Sequence, residues 1–478
     1  MEQEGGSTYL HPLTLESQLF LNSLETYSQK YNQIDTNLCD ILNNIVLGIQ
    51  KFLDQNPEPI VATEKTKLVQ RNDLAAIQSI YHCNICKKDL GKTADKAALH
   101  LVAKHEIKPN PINREKKKAQ KKAAETKLNK LPKKGRALVM GDFAKFFADQ
   151  LQVAEKIKQI PEYEVIENAL LTALKKAVPS KSIKLYKFGS RITGIGARHS
   201  DLDIYVDIGG QFNVFEQTAS DETLNNYDRI YEVIKKSSID WDQIRAIRAA
   251  RVPIIRMTNR KTNIECDVGF SNSLSYCNTQ LLEYIFQQQP LARRLCIFMK
   301  KWLERTRLNE HITTYCMALM VIYYLQVKKC LPSIETLQKN MLANVLVGPW
   351  IGNFNNIPLN ALGMEELGVS PPCCKQHIKE FCQYYANFKY ELHVVCPYFG
   401  RPNIEIKNFE NLMPERYTNY ITNDNSATKE WGLQLNAQIV VQDPLQLNHN
   451  VAKRCSKLHL KELVDYLKQS AEILVDSN

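Results

Sequence analysis

The spacing of apolar and polar residues divides the chain into helical and strand-forming stretches. Apolar residues recur at helical spacing over 141–178, which predicts about two helices. Runs rich in β-branched and aromatic residues then predict strands at 183–188, 202–208, 251–257 and 262–270. Helices are expected between the first two strands, over 222–236, over most of 278–390, and over 457–474. This order of elements predicts an α+β fold.

Length and composition limit the class of protein. A chain of 478 residues is too long for one compact core, so we expect two or more domains. The longest apolar run, residues 315–325, is about half a membrane span and therefore predicts a buried helix and no membrane partner. Thirteen cysteines without regular spacing favour a reducing compartment, so we expect a cytoplasmic or nuclear protein without a secretory signal.

Positive charge is concentrated in one segment. The net charge is +11, and residues 108–136 hold twelve Lys or Arg but only two acids. A block of this kind is typical of a segment that binds a polyanion, of a nuclear import signal, or of a self-repelling spacer. Cytoplasmic and nuclear residence therefore both stay open.

Two aspartates at the start of the second predicted strand indicate metal chemistry. Asp201 and Asp203 are two residues apart, so an extended strand presents both carboxylates on one face. A hard divalent cation relieves their repulsion, and Asp267 adds a third ligand if its strand pairs with theirs. Three carboxylates suit two Mg²⁺ ions, the arrangement used in phosphoryl and nucleotidyl transfer.

A Gly-Ser pair precedes these aspartates. Gly189 and Ser190 end the first predicted strand and begin a helix, where backbone amides and the Ser190 hydroxyl would hold a triphosphate. A lone Asp-x-Asp or Gly-Ser pair is common on protein surfaces. The order strand, Gly-Ser, helix, paired aspartates and a later third aspartate instead indicates a nucleotide site.

The order of these motifs resembles the DNA-polymerase-β-like nucleotidyltransferase superfamily. The stretches that carry the resemblance are FGSRITGIGARHSDLDIYV, RVPIIRM and IECDVGFSNSLSYCNTQLLEYI. The downstream stretches PLARRLCIFMKKWLERTRLN and TTYCMALMVIYYLQ resemble the noncanonical poly(A) polymerases and terminal uridylyltransferases, and the match covers about residues 143–470. The resemblance implies a nucleotidyltransferase palm, a mixed β-sheet with helices, facing an α-helical domain. It also implies addition of ribonucleotides to RNA 3′ ends with Mg²⁺ or Mn²⁺.

The resemblance further implies roles for individual residues. Asp201, Asp203 and Asp267 would hold the catalytic metals, and Asp267 would also activate the RNA 3′ hydroxyl. Nucleotide contacts would fall on Gly189, Ser190, Asn278, Thr279, Lys300, Thr314 and Tyr315. Glu304 stands where the family often has a basic residue, and an acid there would repel the triphosphate unless Lys301 or Arg305 compensates.

The base preference is predicted from residues 440–453. VVQDPLQLNHNVAK resembles the nucleotide recognition motif of uridylyltransferases, in which Asp443 and His449 would address the base edge. Uracil and adenine present donors and acceptors differently, and a good pair of hydrogen bonds gives about 1–3 kcal/mol of discrimination. We therefore expect UTP to be preferred. Polyadenylation from ATP stays an alternative, as does a catalytically weak RNA-binding factor, which Glu304 favours.

Four residues of metal-binding type precede the basic segment. Cys83, Cys86, His100 and His105 match the Cys₂His₂ zinc pattern with a central gap one residue longer than the commonest one. We therefore predict a structural Zn²⁺ site whose metal supplies most of the folding free energy of a small finger. Beside a nucleotidyltransferase, RNA capture by this finger is favoured over DNA recognition.

Together these features predict an order of segments along the chain. They are an N-terminal helical or partly disordered region (1–75), the zinc finger (76–107), the basic linker (108–136), leading helices (137–180), the palm (181–271) and a helical PAP-associated domain (272–478). The expected partners are RNA 3′ ends and UTP. The choice of RNA is left to the shape of its 3′ end or to a protein partner.

Overall fold

A computed structural model describes residues 128–237, 239–271, 273–422 and 432–476. The predicted zinc-finger ligands Cys83, Cys86, His100 and His105 lie outside these ranges, as do residues 108–127 of the predicted basic linker. The described residues belong to one unit, which starts at Leu128.

In the described residues, the strands precede residue 270 except for one short pair, and helices dominate the rest. The strands are β1 (Ile183–Phe188), β2 (Leu202–Ile208), β3 (Trp241–Ile247), β4 (Ile254–Asn259), β5 (Ile264–Gly269), β6 (Leu346–Val347) and β7 (Trp350–Ile351). The earlier helices are α1 (Lys133–Val139), α2 (Phe143–Lys158), α3 (Glu162–Ala177), α4 (Ser190–Thr193) and α5 (Asp221–Lys236). The later helices are α6 (Leu274–Gln288), α7 (Pro290–Thr306), α8 (Thr314–Val327), α9 (Ile334–Gln338), α10 (Pro371–Ala386), α11 (Phe409–Leu412), α12 (Glu415–Thr422) and α13 (Lys457–Asp476).

The first five strands form one mixed sheet in the order β1-β2-β5-β4-β3. Strands β2 and β5 run parallel, which meets the condition under which Asp267 joins Asp201 and Asp203, and the other neighbours run antiparallel. Directly paired residues project from the same face of a sheet. One row across this sheet consists of Phe188, Asp203, Asp267, Arg256 and Arg245. The register therefore brings two aspartates and two arginines onto one face.

The opposite face of the sheet is apolar because hydrophobic residues alternate with polar ones along the strands. Ile204, Val206, Ile255, Met257 and Val268 are buried there, in one core with side chains of α3 and α5. Burial of a side chain of this size contributes about 1.5–3 kcal/mol. This core fixes the sheet, and the aspartate row lies on the face turned away from it.

The helices that follow β5 enclose a second, larger core of the described residues. Helix α8 is buried from Cys316 to Gln326, as the apolar run predicts. Helix α7 is tied to the last helix, since the Trp302 indole Nε1 donates a hydrogen bond of 3.0 Å to Ser470 Oγ. Among the described residues, no helix combines the length and apolar character that a membrane crossing requires.

Three details of the fold differ from the sequence prediction. Strand β3 was not predicted, because it is a largely exposed edge strand whose sequence does not alternate. Strand β4 begins at Ile254 instead of residue 251, since Pro253 lacks the amide hydrogen that a ladder needs. The predicted helical stretch is interrupted over 339–370, where the Asn- and Pro-rich chain forms the β6–β7 pair and irregular structure.

Candidate nucleotide and metal site

The three predicted metal ligands lie together on the face of the sheet that is turned away from the apolar core. Asp203 on β2 is directly opposite Asp267 on the parallel strand β5, and Asp201 immediately precedes β2. One carboxylate oxygen from each lies within 4.8 Å of the others. Desolvation, followed by the charges of Asp201 and Asp267, raises the pKa of Asp203 well above its usual range. An all-carboxylate donor set with this repulsion fits Mg²⁺ or Mn²⁺.

Gly189 closes over these carboxylates. It lies between β1 and α4 with φ 84° and ψ −162°, a conformation essentially restricted to glycine. A Cβ atom at this position would lie 2.0 Å from Asp203 Oδ2. The Gly189 amide donates a hydrogen bond of 3.0 Å to Thr279 Oγ1, and Ser190 then begins α4. The Gly-Ser junction and the carboxylates are therefore immediate neighbours.

Lys300 approaches the same carboxylates from α7. Its Nζ donates hydrogen bonds to the Ile195 carbonyl at 3.3 Å and to Ser200 Oγ at 3.0 Å. Ser200 directly precedes Asp201 in the chain. Burial lowers the pKa of Lys300, and the nearby charge of Glu304 opposes that shift.

Glu304, the predicted departure from the family pattern, is itself paired. Its Oε2 lies 2.7 Å from Lys301 Nζ, one helical turn away on α7. Lys301 is one of the two basic residues expected to compensate for Glu304. Its positive charge partly offsets the negative charge of Glu304, which by itself would repel a triphosphate.

The predicted base-reading residues converge on the carboxylate of Asp443. Its Oδ2 accepts hydrogen bonds of 3.1 Å from Asn278 Nδ2 and from the Tyr315 hydroxyl. His449 Nδ1 lies 3.9 Å from the same oxygen. The other carboxylate oxygen accepts from the amides of Leu445 and Gln446 at 3.0 and 2.9 Å. Helices α6 and α8 and the segment 440–453 thus meet at one buried acid.

The electrostatics of this cluster follow from its burial. Burial, followed by the charge of Asp443, raises the pKa of the Tyr315 hydroxyl well above its usual range, so the phenol stays protonated and keeps its bond. Burial lowers the pKa of His449, which favours the neutral imidazole near pH 7. Asn278 Oδ1 is buried and has no hydrogen-bond partner among the described residues. The cluster therefore retains an acceptor and an imidazole for a ligand.

Two threonines predicted as nucleotide contacts have different surroundings. Thr279 Oγ1 accepts from the Gly189 amide and donates to the Ser275 carbonyl at 3.0 Å, so it ties α6 to the Gly-Ser junction. Thr314 is half-buried at the first position of α8. Its neighbour Thr313 provides the N-cap, accepting from the Cys316 amide at 3.1 Å.

Two arginines that sequence reasoning missed belong to the site. Arg256 donates from Nε and Nη2 to the two oxygens of Asp267 at 2.7 and 2.6 Å, and these bonds raise its pKa. Burial lowers the pKa of Arg251, which the charge of Asp443 partly restores. The strand alternation in RVPIIRM would place residue 256 on one face, but no local signal identifies its partner.

Comparison with known proteins identifies the fold. Residues 141–287 match the family model of the central palm domain of mitochondrial-like poly(A) RNA polymerase. The fold is the nucleotidyltransferase palm. The structure of mtPAP in complex with UTP aligns with 73% of this chain and 72% of its own, with a TM-score of 0.54 and 16% identity. Terminal uridylyl transferase 4 from Trypanosoma brucei with bound GTP aligns with 72% of this chain and 98% of its own, with a TM-score of 0.52 and 20% identity.

Two of the curated relatives carry names of different kinds. Poly(A) RNA polymerase cid11 of Schizosaccharomyces pombe is 21% identical over 67% of this chain and 60% of its own length. Human terminal uridylyltransferase 7 is 24% identical over 57% of this chain and 17% of its own length. The chain thus spans less than two thirds of the length of both relatives. Relatives with both kinds of name have similar identity to this chain, so the choice of nucleotide depends on the geometry of the site.

Proposed function

We propose that this protein is a template-independent RNA 3′-terminal nucleotidyltransferase. The observation that carries the proposal is the cluster of Asp201, Asp203 and Asp267 beneath the Gly189 backbone, on the palm sheet. A metal pair bound by three carboxylates stabilises the attacking and leaving oxygens of an in-line displacement. The curated relatives, which are poly(A) polymerases and terminal uridylyltransferases, support the same class of reaction.

The reaction assigns a task to each part of the site. The RNA 3′ oxygen attacks the α-phosphorus, a new P–O bond forms, and pyrophosphate leaves. Asp201, Asp203 and Asp267 would hold the cations, and Asp267 would also receive the proton of the 3′ hydroxyl. Gly189, Ser190 and Lys300 bind the phosphates. The partial burial of these groups strengthens each of these electrostatic contacts.

We further propose that UTP is the preferred nucleotide. Asp443 already accepts hydrogen bonds from Asn278 and Tyr315. Its role is therefore to position those two side chains, and it does not contact the base by itself. His449 then reads the base edge as a neutral imidazole with one donor and one acceptor. Uracil offers an N3–H donor beside an O4 acceptor, whereas adenine offers an N1 acceptor beside an N6 donor. A fixed reader that makes a good pair of hydrogen bonds with this edge can therefore favour uracil by about 1–3 kcal/mol.

The test is extension of a labelled RNA with each of the four nucleoside triphosphates separately, with Mg²⁺ or Mn²⁺. We expect extension with UTP above ATP, abolished in an Asp201→Ala/Asp203→Ala variant. His449→Ala should lower the UTP/ATP rate ratio by roughly 5- to 150-fold, whereas His393→Ala, at a half-buried histidine of another segment, should leave the ratio unchanged. Extension with ATP above UTP would keep the polymerase and overturn the base assignment. An unchanged ratio in His449→Ala would remove His449 from base selection, and no extension with any triphosphate would favour the RNA-binding alternative.

The N-terminal metal site is a separate proposal. We propose that Cys83, Cys86, His100 and His105 bind one structural Zn²⁺, and that the finger and the following lysines hold RNA without choosing its sequence. The spacing of the four ligands supports the first part, and the charge of the linker supports the second.

A further inference from the structure

Arg256 occupies the oxygens that a metal would need. Its guanidinium binds both carboxylate oxygens of Asp267, and its Nη2 also lies 3.8 Å from Asp201 Oδ2. Paired N–H···O bonds of this kind between Arg and a carboxylate are among the stronger polar contacts in proteins. Each carboxylate oxygen has two lone pairs, so a cation bound by Asp267 would share these oxygens with the guanidinium, and the two positive charges at one carboxylate would oppose each other. The register that aligns Asp267 with Asp203 also aligns it with Arg256, so this competition is built into the sheet.

Glu265 provides a second partner for the same guanidinium. It lies two residues before Asp267 on β5, so both carboxylates project from the same face. Arg256 Nε is 3.4 Å from Glu265 Oε1, and the Glu265 side chain is 49% exposed. The Arg256 side chain is 36% exposed, which leaves it room to turn between the two acids. Glu265 lies outside the metal cluster, so an arginine moved there no longer competes for that cluster.

We propose that Arg256 competes with divalent cations for Asp267, and that Glu265 receives the arginine when a cation binds. Arg256 is then a positioning residue that controls when the third carboxylate joins the metal site. The inference rests on the proposed metal site at Asp201, Asp203 and Asp267. It predicts opposite effects for two substitutions on one surface: removal of Arg256 tightens cation binding, and removal of the Glu265 charge weakens it.

The experiment measures Mn²⁺ binding to the full chain by electron paramagnetic resonance of the free ion, without RNA or nucleotide. We expect Arg256→Gln to lower the Kd of the site by about tenfold, since charge-assisted hydrogen bonds no longer compete for Asp267. Arg256→Lys keeps the charge but loses the paired bonds, so its Kd should lie between that of the wild type and that of Arg256→Gln. Glu265→Gln should raise the Kd by roughly threefold.

Arg245→Gln is the matched control. Arg245 pairs directly with Arg256 on the edge strand β3, so the variant removes an equal charge one strand further from the metal cluster. Long-range electrostatics alone would tighten Mn²⁺ binding in both arginine variants, whereas direct competition tightens it only in Arg256→Gln. The inference would be overturned if the Kd of Arg256→Gln for Mn²⁺ is unchanged or higher while its circular dichroism and thermal melting match the wild type.

The proposed function is tested separately by Asp201→Asn/Asp203→Asn, which should abolish the site. If Mn²⁺ binding depends on these aspartates but not on Arg256, the metal site stands and only the competition fails. If no Mn²⁺ binding depends on them, the metal site fails, and the inference fails with it.

Discussion

Substitution of Gly189 by alanine tests whether the closeness of the Gly-Ser junction to the carboxylates matters for activity. The added Cβ would lie 2.0 Å from Asp203 Oδ2 and 2.9 Å from its Cγ, whereas real Cβ contacts essentially never fall below 3.0 Å. The carboxylate or the junction must therefore shift by about 1 Å, and a displacement of that size in a catalytic group lowers the rate by roughly 100-fold. The backbone conformation adds about 1–3 kcal/mol of strain for a residue other than glycine.

Gly210→Ala separates the two effects. Gly210 also has a positive φ, 77°, but an added Cβ there would have nothing within 4 Å. It should therefore lose about 1–2 kcal/mol of stability from the left-handed backbone and keep its activity. The assay compares the rate of RNA extension and the melting temperature of both variants with the wild type. If Gly189→Ala extends RNA as fast as Gly210→Ala, the geometric argument for the junction is refuted.

Two further predictions concern stability and RNA affinity. Because the pKa of Asp203 is raised in the folded protein, its charge destabilises the fold above that pKa, and the penalty disappears as pH falls toward the ordinary value of 3.8. Asp203→Asn should therefore raise the unfolding free energy by about 1 kcal/mol at pH 8, and by less at pH 5; an equal gain at both pH values would contradict this. Deletion of 108–127 removes eight Lys or Arg and leaves the described residues intact. If six of these cations contact single-stranded RNA, the affinity of the full chain should fall by roughly 300-fold between 50 and 200 mM salt, and the deletion should flatten that dependence. An unchanged salt slope would exclude RNA capture by residues 108–127.

Much of the palm was predictable from local sequence. Strands β1 and β2 have the predicted bounds, because alternating apolar residues between turn signals specify a half-buried strand without help from distant residues. The Gly-Ser junction follows for a similar reason, since only glycine takes the backbone conformation found at residue 189. The resemblance to a known family added the nucleotide contacts on the later helices and the base-reading segment.

Other parts of the site depend on contacts between distant residues. Asp443 accepts a hydrogen bond from Asn278, which is 165 residues away in the sequence. No local sequence pattern identifies the buried polar group that pairs with the Asp443 carboxylate. Thr279 likewise finds the Gly189 amide 90 residues away.

The sequence by itself determined the bounds of β1 and β2, the two aspartates on one face and the glycine at the junction, because each depends on chain geometry over a few residues. Only the tertiary structure decided that Asp267 faces both Asp203 and Arg256. That arrangement is set by the register of β5 between a parallel and an antiparallel neighbour. Register is fixed by burial of the whole apolar face of the sheet, since a slip of one residue would expose every buried side chain of the strand.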